Sequence, residues 1–186
     1  MDEAIMQQIL ISGVGGQGVL FVTRLLAEAA IQRGLAVFTS ETHGMAQRGG
    51  TVLSHLKVGD YASPLIRPAQ ADGLLVLKAE NLIQHGAFLK EGGWVIANGE
   101  KDIKTDHNMP LDAVDADTLA REIGNPKAVN LIVLGFALAI AEKKGGNRNT
   151  LFCSPAEITT VLEIRFGKKK EMLKASLKAL DAGYTA

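Results

Sequence analysis

The spacing of apolar and polar positions divides the chain into strands and helices joined by glycine-rich turns. Residues 9–11 (Ile-Leu-Ile) are a short apolar run that predicts a central strand, ending in Ser12-Gly13-Val14-Gly15-Gly16-Gln17-Gly18. Residues 19–32 place Leu25, Leu26, Ala29 and Ala30 on one side and stop before Gly34, as an amphipathic helix with a glycine C-cap does. Residues 35–39 supply a second strand that ends at Ser40-Glu41. This strand–turn–helix–strand order is a βαβ unit, so its two strands are expected to run parallel. Residues 42–50 are polar and glycine-containing, without a helical stripe, whereas residues 51–58 alternate as a strand closed by Gly59-Asp60. Residues 71–77 predict a buried strand, 79–88 a short helix, and 94–97 a strand that stops at Asn98-Gly99.

Helices dominate the rest. Residues 101–110 are polar and predict a loop, after which Asp115 or Asp117 caps a helix running through Glu122 to Gly124. Residues 128–144 are apolar on most sides and end in two lysines, which suit a helix C-terminus. Ser154-Pro155-Ala156-Glu157 is a capping box with proline at the first helical position, and Gly167 ends that helix. The final helix, residues 168–182, carries Met172, Leu173, Leu177 and Leu180 as its apolar stripe, with Lys170, Lys174 and Lys178 on a solvated face. Together these elements predict one α/β domain over residues 1–186. It is expected to be a three-layer α/β/α, Rossmann-like domain with a mostly parallel sheet and C-terminal helices.

Composition narrows the class. The 186 residues are 47% hydrophobic and 22% charged, as in a soluble globular protein. Twenty basic and twenty acidic residues cancel, which argues against a nucleic-acid footprint or attachment to anionic lipid. Residues 1–8 are too polar for a signal peptide, and the longest apolar run, 128–141, is shorter than the ~20 residues of a membrane span. A cytoplasmic protein with no membrane segment is expected. The single cysteine, Cys153, can build neither a disulfide, a Cys-x-x-Cys pair nor an iron–sulfur site within the chain. It is expected to be a small core hydrophobe.

Two loops could carry chemistry. Gly13-x-Gly15-x-x-Gly18, with Gly16 and Gln17 inside it, follows a strand and opens a helix, as the dinucleotide fingerprint requires. On that reading Gly13 permits the tight turn, Gly15 lets backbone approach an anion, and Gly18 lets helix and strand pack closely. The helix N-terminus then offers free N–H groups to a phosphate or carboxylate. Glu41 stands at the end of the second strand, where a dinucleotide-binding enzyme sets its ribose-binding acid. The second loop is Glu41-Thr42-His43-Gly44-Met45-Ala46-Gln47-Arg48-Gly49-Gly50. Here Arg48 can fork onto a phosphate or carboxylate, Gly49 and Gly50 permit close backbone approach, and His43 has an acid–base position. Structural readings stand beside both: a packing turn, and a surface loop capped by its own hydrogen bonds. The four histidines share no metal-ligand spacing, and neither a Walker A loop nor a Gly-x-Ser-x-Gly elbow is found.

The two loops in this order, followed by Ala71-Asp72 opening a strand, resemble the gamma subunit of 2-oxoacid:ferredoxin oxidoreductases. The wording His43-Gly44-Met45-Ala46-Gln47-Arg48-Gly49-Gly50 is closer to the small (beta) subunit of indolepyruvate ferredoxin oxidoreductase. The likeness runs over residues 9–99, with a weaker echo in residues 174–183. It implies a part in the oxidative decarboxylation of a 2-oxoacid with coenzyme A, giving an acyl-CoA, carbon dioxide and two electrons for ferredoxin. It also implies thiamine diphosphate, magnesium and iron–sulfur clusters on larger partner subunits, with ferredoxin reached only through them. Consistently, no Gly-Asp-Gly…Asn thiamine signature is present, since Gly59-Asp60 is followed by Tyr61. Residues 13, 15–18 and 47–50 are then expected to meet coenzyme A or the catalytic partners, and residues 41–45 to face the active site or a partner. No catalytic residue is expected in this chain. A stand-alone NAD(P)- or FAD-dependent oxidoreductase and a non-catalytic adaptor remain as alternatives, and the isolated chain could pair with itself through its bare partner surface.

Overall fold

The computed structural model describes residues 5–43, 50–100, 103, 109–145 and 150–186. Strand β1 (Gln7–Val14) leads through the glycine turn into α1 (Val19–Gln32), then β2 (Val37–His43) and β3 (Thr51–Val58). Next come β4 (Ala71–Val76), α2 (Asn81–His85), a 3₁₀ turn (Gly86–Phe88), β5 (Leu89–Asn98) and β6 (Leu111–Val114). Helices α3 (Ala116–Glu122), α4 (Val129–Lys143), α5 (Pro155–Phe166) and α6 (Lys170–Tyr184) follow. The six strands form one sheet in the order β2-β3-β1-β4-β5-β6. Only β3 runs against the others, antiparallel to both β1 and β2. The sheet is therefore mostly parallel in direction, as expected.

The βαβ expectation needs refinement. Strands β1 and β2 do run in the same direction, but β3 lies between them and takes the hydrogen bonds of both. The reason is the length of chain between them: only seven residues separate His43 from Thr51, too few for the crossover that a parallel neighbour requires, so β3 pairs antiparallel with β2.

Side chains alternate across the sheet and fill two cores. Ile9, Ile11, Leu56, Leu75 and Ile96 face α1, α3, α4, α5 and α6 in the larger one. Leu10, Leu53, Leu74 and Val95 face a thinner cover of α2, the 3₁₀ turn and the chain around Ile66. The three layers are thus unequal. Helix α4 is apolar on nearly every side because α1, α3, α5 and α6 surround it above the sheet. Cys153 is buried, and burial pushes its thiol pKa up, so it packs as a hydrophobe.

Several boundaries differ from the sequence reading. The helix expected at 79–88 is a single α turn plus the 3₁₀ turn, and β5 starts five residues before Trp94. Strand β6, which was not anticipated, adds a four-residue edge beside Val95–Asn98. Its run is too short to show a period. Met172 is exposed, so the apolar face of α6 is carried by Leu173, Leu177, Ala179, Leu180 and Gly183. Asp115 is the α3 N-cap, accepting from the Thr118 amide at 3.0 Å, and the Ser154–Glu157 capping box forms in full.

Candidate functional site at the carboxyl edge of the sheet

The carboxyl ends of β1, β2, β4, β5 and β6 share one edge of the sheet, and the start of β3 joins them there. Open α/β sheets bind ligands at this edge, because the strand-to-helix turns leave amide groups facing outward. The glycine turn lies at its centre. Gly16 (φ 90°) and Gly18 (φ 78°) take left-handed backbone that a side chain would strain, and Gly18 is the α1 N-cap. Gln17 locks the turn from inside. Its Oε1 accepts from the Val14 amide at 2.8 Å, and its Nε2 donates to the Leu77 carbonyl at 3.2 Å.

The roles of three glycines are therefore redistributed. Gly13 belongs to β1 rather than to the turn. A Cβ there would stand 2.8 Å from Val19 Cγ2 and 3.2 Å from Leu77 Cβ, so its smallness serves packing. At Gly18 a Cβ would stand 2.2 Å from Asn130 Nδ2, so this glycine lets α1 meet α4 rather than β1. Gly15 does not offer its amide to an anion. It donates to the Gly50 carbonyl at 3.2 Å.

That bond ties Gly50, the last residue of the second loop, to the glycine turn. Glu41, Thr42 and His43 close β2, and Gly50 leads into β3, whose Thr51 pairs with Val14 and whose Val52 pairs with His43. Glu41 and Thr42 are exposed. Gly44, Met45, Ala46, Gln47, Arg48 and Gly49 lie outside the described residues, but the segment leaves and re-enters the fold beside the glycine turn. Glu41 is separated from β1 by the whole of β3, about 10 Å at two strand spacings. A ribose-binding acid belongs on the strand next to β1, so this placement speaks against the dinucleotide reading.

Beneath the turn lies a buried polar group that the sequence reading missed. Ser12 Oγ sits 2.8 Å from His85 Nδ1, and Asn81 Nδ2 donates to Ser12 Oγ at 2.9 Å and to the Gly13 carbonyl at 3.0 Å. Burial lowers the His85 pKa, so the ring is held neutral and structural. This network ties α2 to the strand that carries the glycine turn. Nothing marks it in the sequence, because Ser12 and His85 are 73 residues apart. A second clasp is Asn98, which donates to the Leu77 carbonyl and to Asp117 and accepts from the Ala116 amide. The Leu77 carbonyl thus receives both Gln17 and Asn98.

This arrangement is glycine-lined and tied together by the Gln17, Asn81 and Asn98 side chains. A family model for pyruvate ferredoxin/flavodoxin oxidoreductase matches residues 8–186. The chain belongs to this family. It is 34% identical to the indolepyruvate oxidoreductase subunit IorB of Archaeoglobus fulgidus, over 95% of this chain and 92% of that one. The pyruvate oxidoreductase subunit PORC of Thermotoga maritima superposes with a TM-score of 0.77 at 26% identity, over 98% and 97% of the two chains. The keto/oxoacid ferredoxin oxidoreductase gamma subunit of Geobacter sulfurreducens gives 0.74 at 25%, over 96% of each. The chain is thus homologous to the small subunits of 2-oxoacid:ferredoxin oxidoreductases, as its two loops implied. Among the described residues no helix is long and apolar enough to cross a membrane, and no group of three or more His, Cys, Asp or Glu side chains could hold a metal ion.

Proposed function

We propose that residues 1–186 act as one gamma-type domain in the cytoplasm, a non-autonomous subunit of a 2-oxoacid:ferredoxin oxidoreductase. The complex converts a 2-oxoacid, coenzyme A and two oxidised ferredoxins into an acyl-CoA, carbon dioxide, a proton and two reduced ferredoxins. Thiamine diphosphate with magnesium and the iron–sulfur clusters supply the decarboxylation and electron transfer from the larger partner subunits. This chain supplies a surface: the turn 13–18 and the loop 41–50 cover the partner's active site, with Arg48 directed to the coenzyme A phosphates. An aryl pyruvate such as indolepyruvate is the 2-oxoacid, in keeping with the 34% identity to an indolepyruvate oxidoreductase subunit.

The observation that supports this reading is the Gly15 N–H to Gly50 carbonyl bond, which ties the last residue of the second loop to the glycine turn at the carboxyl edge of the sheet. Ile83, 79% exposed on α2 beneath the same edge, supports a partner-facing surface. Replacing Arg48 with alanine in the assembled complex tests it. The apparent KM for coenzyme A should rise by about tenfold or more, as loss of a charge-assisted hydrogen bond of about 1.5–3 kcal/mol requires. Unchanged coenzyme A affinity together with unchanged assembly would remove Arg48 from this role.

A further inference from the structure

At the opposite edge of the sheet, near the amino end of β1, a cleft of about 520 Å³ opens beside the chain between β3 and β4. Gln8 of β1, Lys57 of β3, and Tyr61, Ser63, Arg67 and Gln70 of the connecting chain line it. Leu65 and Pro68 supply an apolar wall. Two of these groups are cations, and none of the lining residues is acidic.

Lys57 is the unusual member. The residue is only 7% exposed, and among the described residues its ammonium has no carboxylate partner; it rests over the Tyr61 ring at 5.0 Å from the centroid. Arg67 likewise forms no ion pair among the described residues. The nearby carboxylate, Asp72, is already committed to Lys90 and to the Gln8 amide. What is buried is the aliphatic stem; the ammonium itself reaches the open cleft, as a long cationic side chain does when it covers apolar surface and keeps its charge in water. Here burial, with the Arg67 charge adding to it, lowers the Lys57 pKa. An anion entering the cleft would offset the repulsion between the two cations. Burial, with Asp72 adding, pushes the Tyr61 hydroxyl up to about 12, so it can serve such an anion as a donor.

We propose that this cleft binds a small organic phosphate, with Lys57 and Arg67 taking the phosphate and Leu65 and Pro68 packing against the organic body. Two converging cations reward a dianion over a monoanion. Lysine supplies a point charge and arginine a planar fork, the pair that phosphates commonly meet. The volume lies in the range of small-molecule sites and exceeds what a bare phosphate fills. Gln8 and Val14 stand at opposite ends of β1, which puts this site about 20 Å from the glycine turn. It is therefore separate from the coenzyme A surface and does not rest on that reading.

The test uses the full chain in low salt at pH 8, titrated with inorganic phosphate by calorimetry and followed by phosphorus NMR line width, with acetate as the monoanion control. One saturable phosphate site per chain is expected, at least tenfold tighter than acetate and weakened by added sodium chloride. Arg67→Gln, an exposed position that cannot unsettle the core, should weaken it by about tenfold. Lys57→Met should do the same while keeping the fold by circular dichroism. Arg48→Ala should leave it unchanged. Absence of saturable phosphate binding, equal affinity for acetate, or an Arg67→Gln variant that binds as the parent does would each overturn the assignment.

Discussion

Gly135→Ala separates helix propensity from packing, because the two predict opposite signs. Gly135 lies inside α4, where alanine is favoured over glycine by about 1 kcal/mol on propensity alone. The α4–α6 contact reverses this. A Cβ on Gly135 would fall 2.0 Å from the Leu180 carbonyl oxygen of α6, and one on Gly183 would fall 1.9 Å from the Ile132 carbonyl of α4. The two helices thus cross with each glycine under the other's backbone. Ordinary carbon–oxygen contact begins near 3.3 Å, so the helices must part by about 1.3 Å. Backbone cannot rotate out of the way as a side-chain tip can, which puts the cost at the upper end of the ~1–3 kcal/mol for overpacking. Net of propensity, Gly135→Ala should destabilise by about 2 kcal/mol and lower Tm by roughly 4–8 °C for a chain of this size. Urea and thermal unfolding of the full chain measure it. Equal or higher stability would refute the packing argument. The effect reaches the candidate site as well, since Asn130 at the start of α4 stands against Gly18.

Two further outcomes follow from the cap and from the buried rings. Ser154→Ala removes the hydroxyl half of the α5 capping box, leaving the backbone amide of residue 154 bonded to Glu157, and should cost about 1 kcal/mol in urea unfolding, whereas exposed Thr160→Ala should cost much less. Burial holds His55 and His85 below the usual value near 6.5, with the charges of Lys57 and His85 adding to the effect at His55. The unfolded chain therefore takes up protons before the folded one does. Stability from these rings is complete above about pH 6.5 and is lost as the pH falls below it, by up to about 1.4 kcal/mol per pH unit for each ring. Tm measured between pH 7.5 and pH 5 should fall, and less steeply in His85→Asn; an identical slope in that variant would remove His85 from the account.

What was legible in the sequence was what neighbours along the chain decide. The glycine turn into α1, the Ser154 cap, an aspartate cap on α3 (Asp115 or Asp117) and the apolar α4 all rest on spacings of a few residues, where propensity and hydrogen bonding act locally. The order of the two glycine-rich loops was enough to mark the family, because both are continuous in sequence. Tertiary structure decided the rest. Whether β2 or β3 lies beside β1 depends on pairing between distant segments, and that choice moved Glu41 a full strand away from the glycine turn. Which glycine serves which contact depended on Asn130 and Leu77 arriving from elsewhere in the chain. The Ser12–Asn81–His85 network and the Lys57–Arg67 cleft are likewise assembled by folding. Their members carry no shared spacing, only the positions that strand pairing and side-chain burial assign to them.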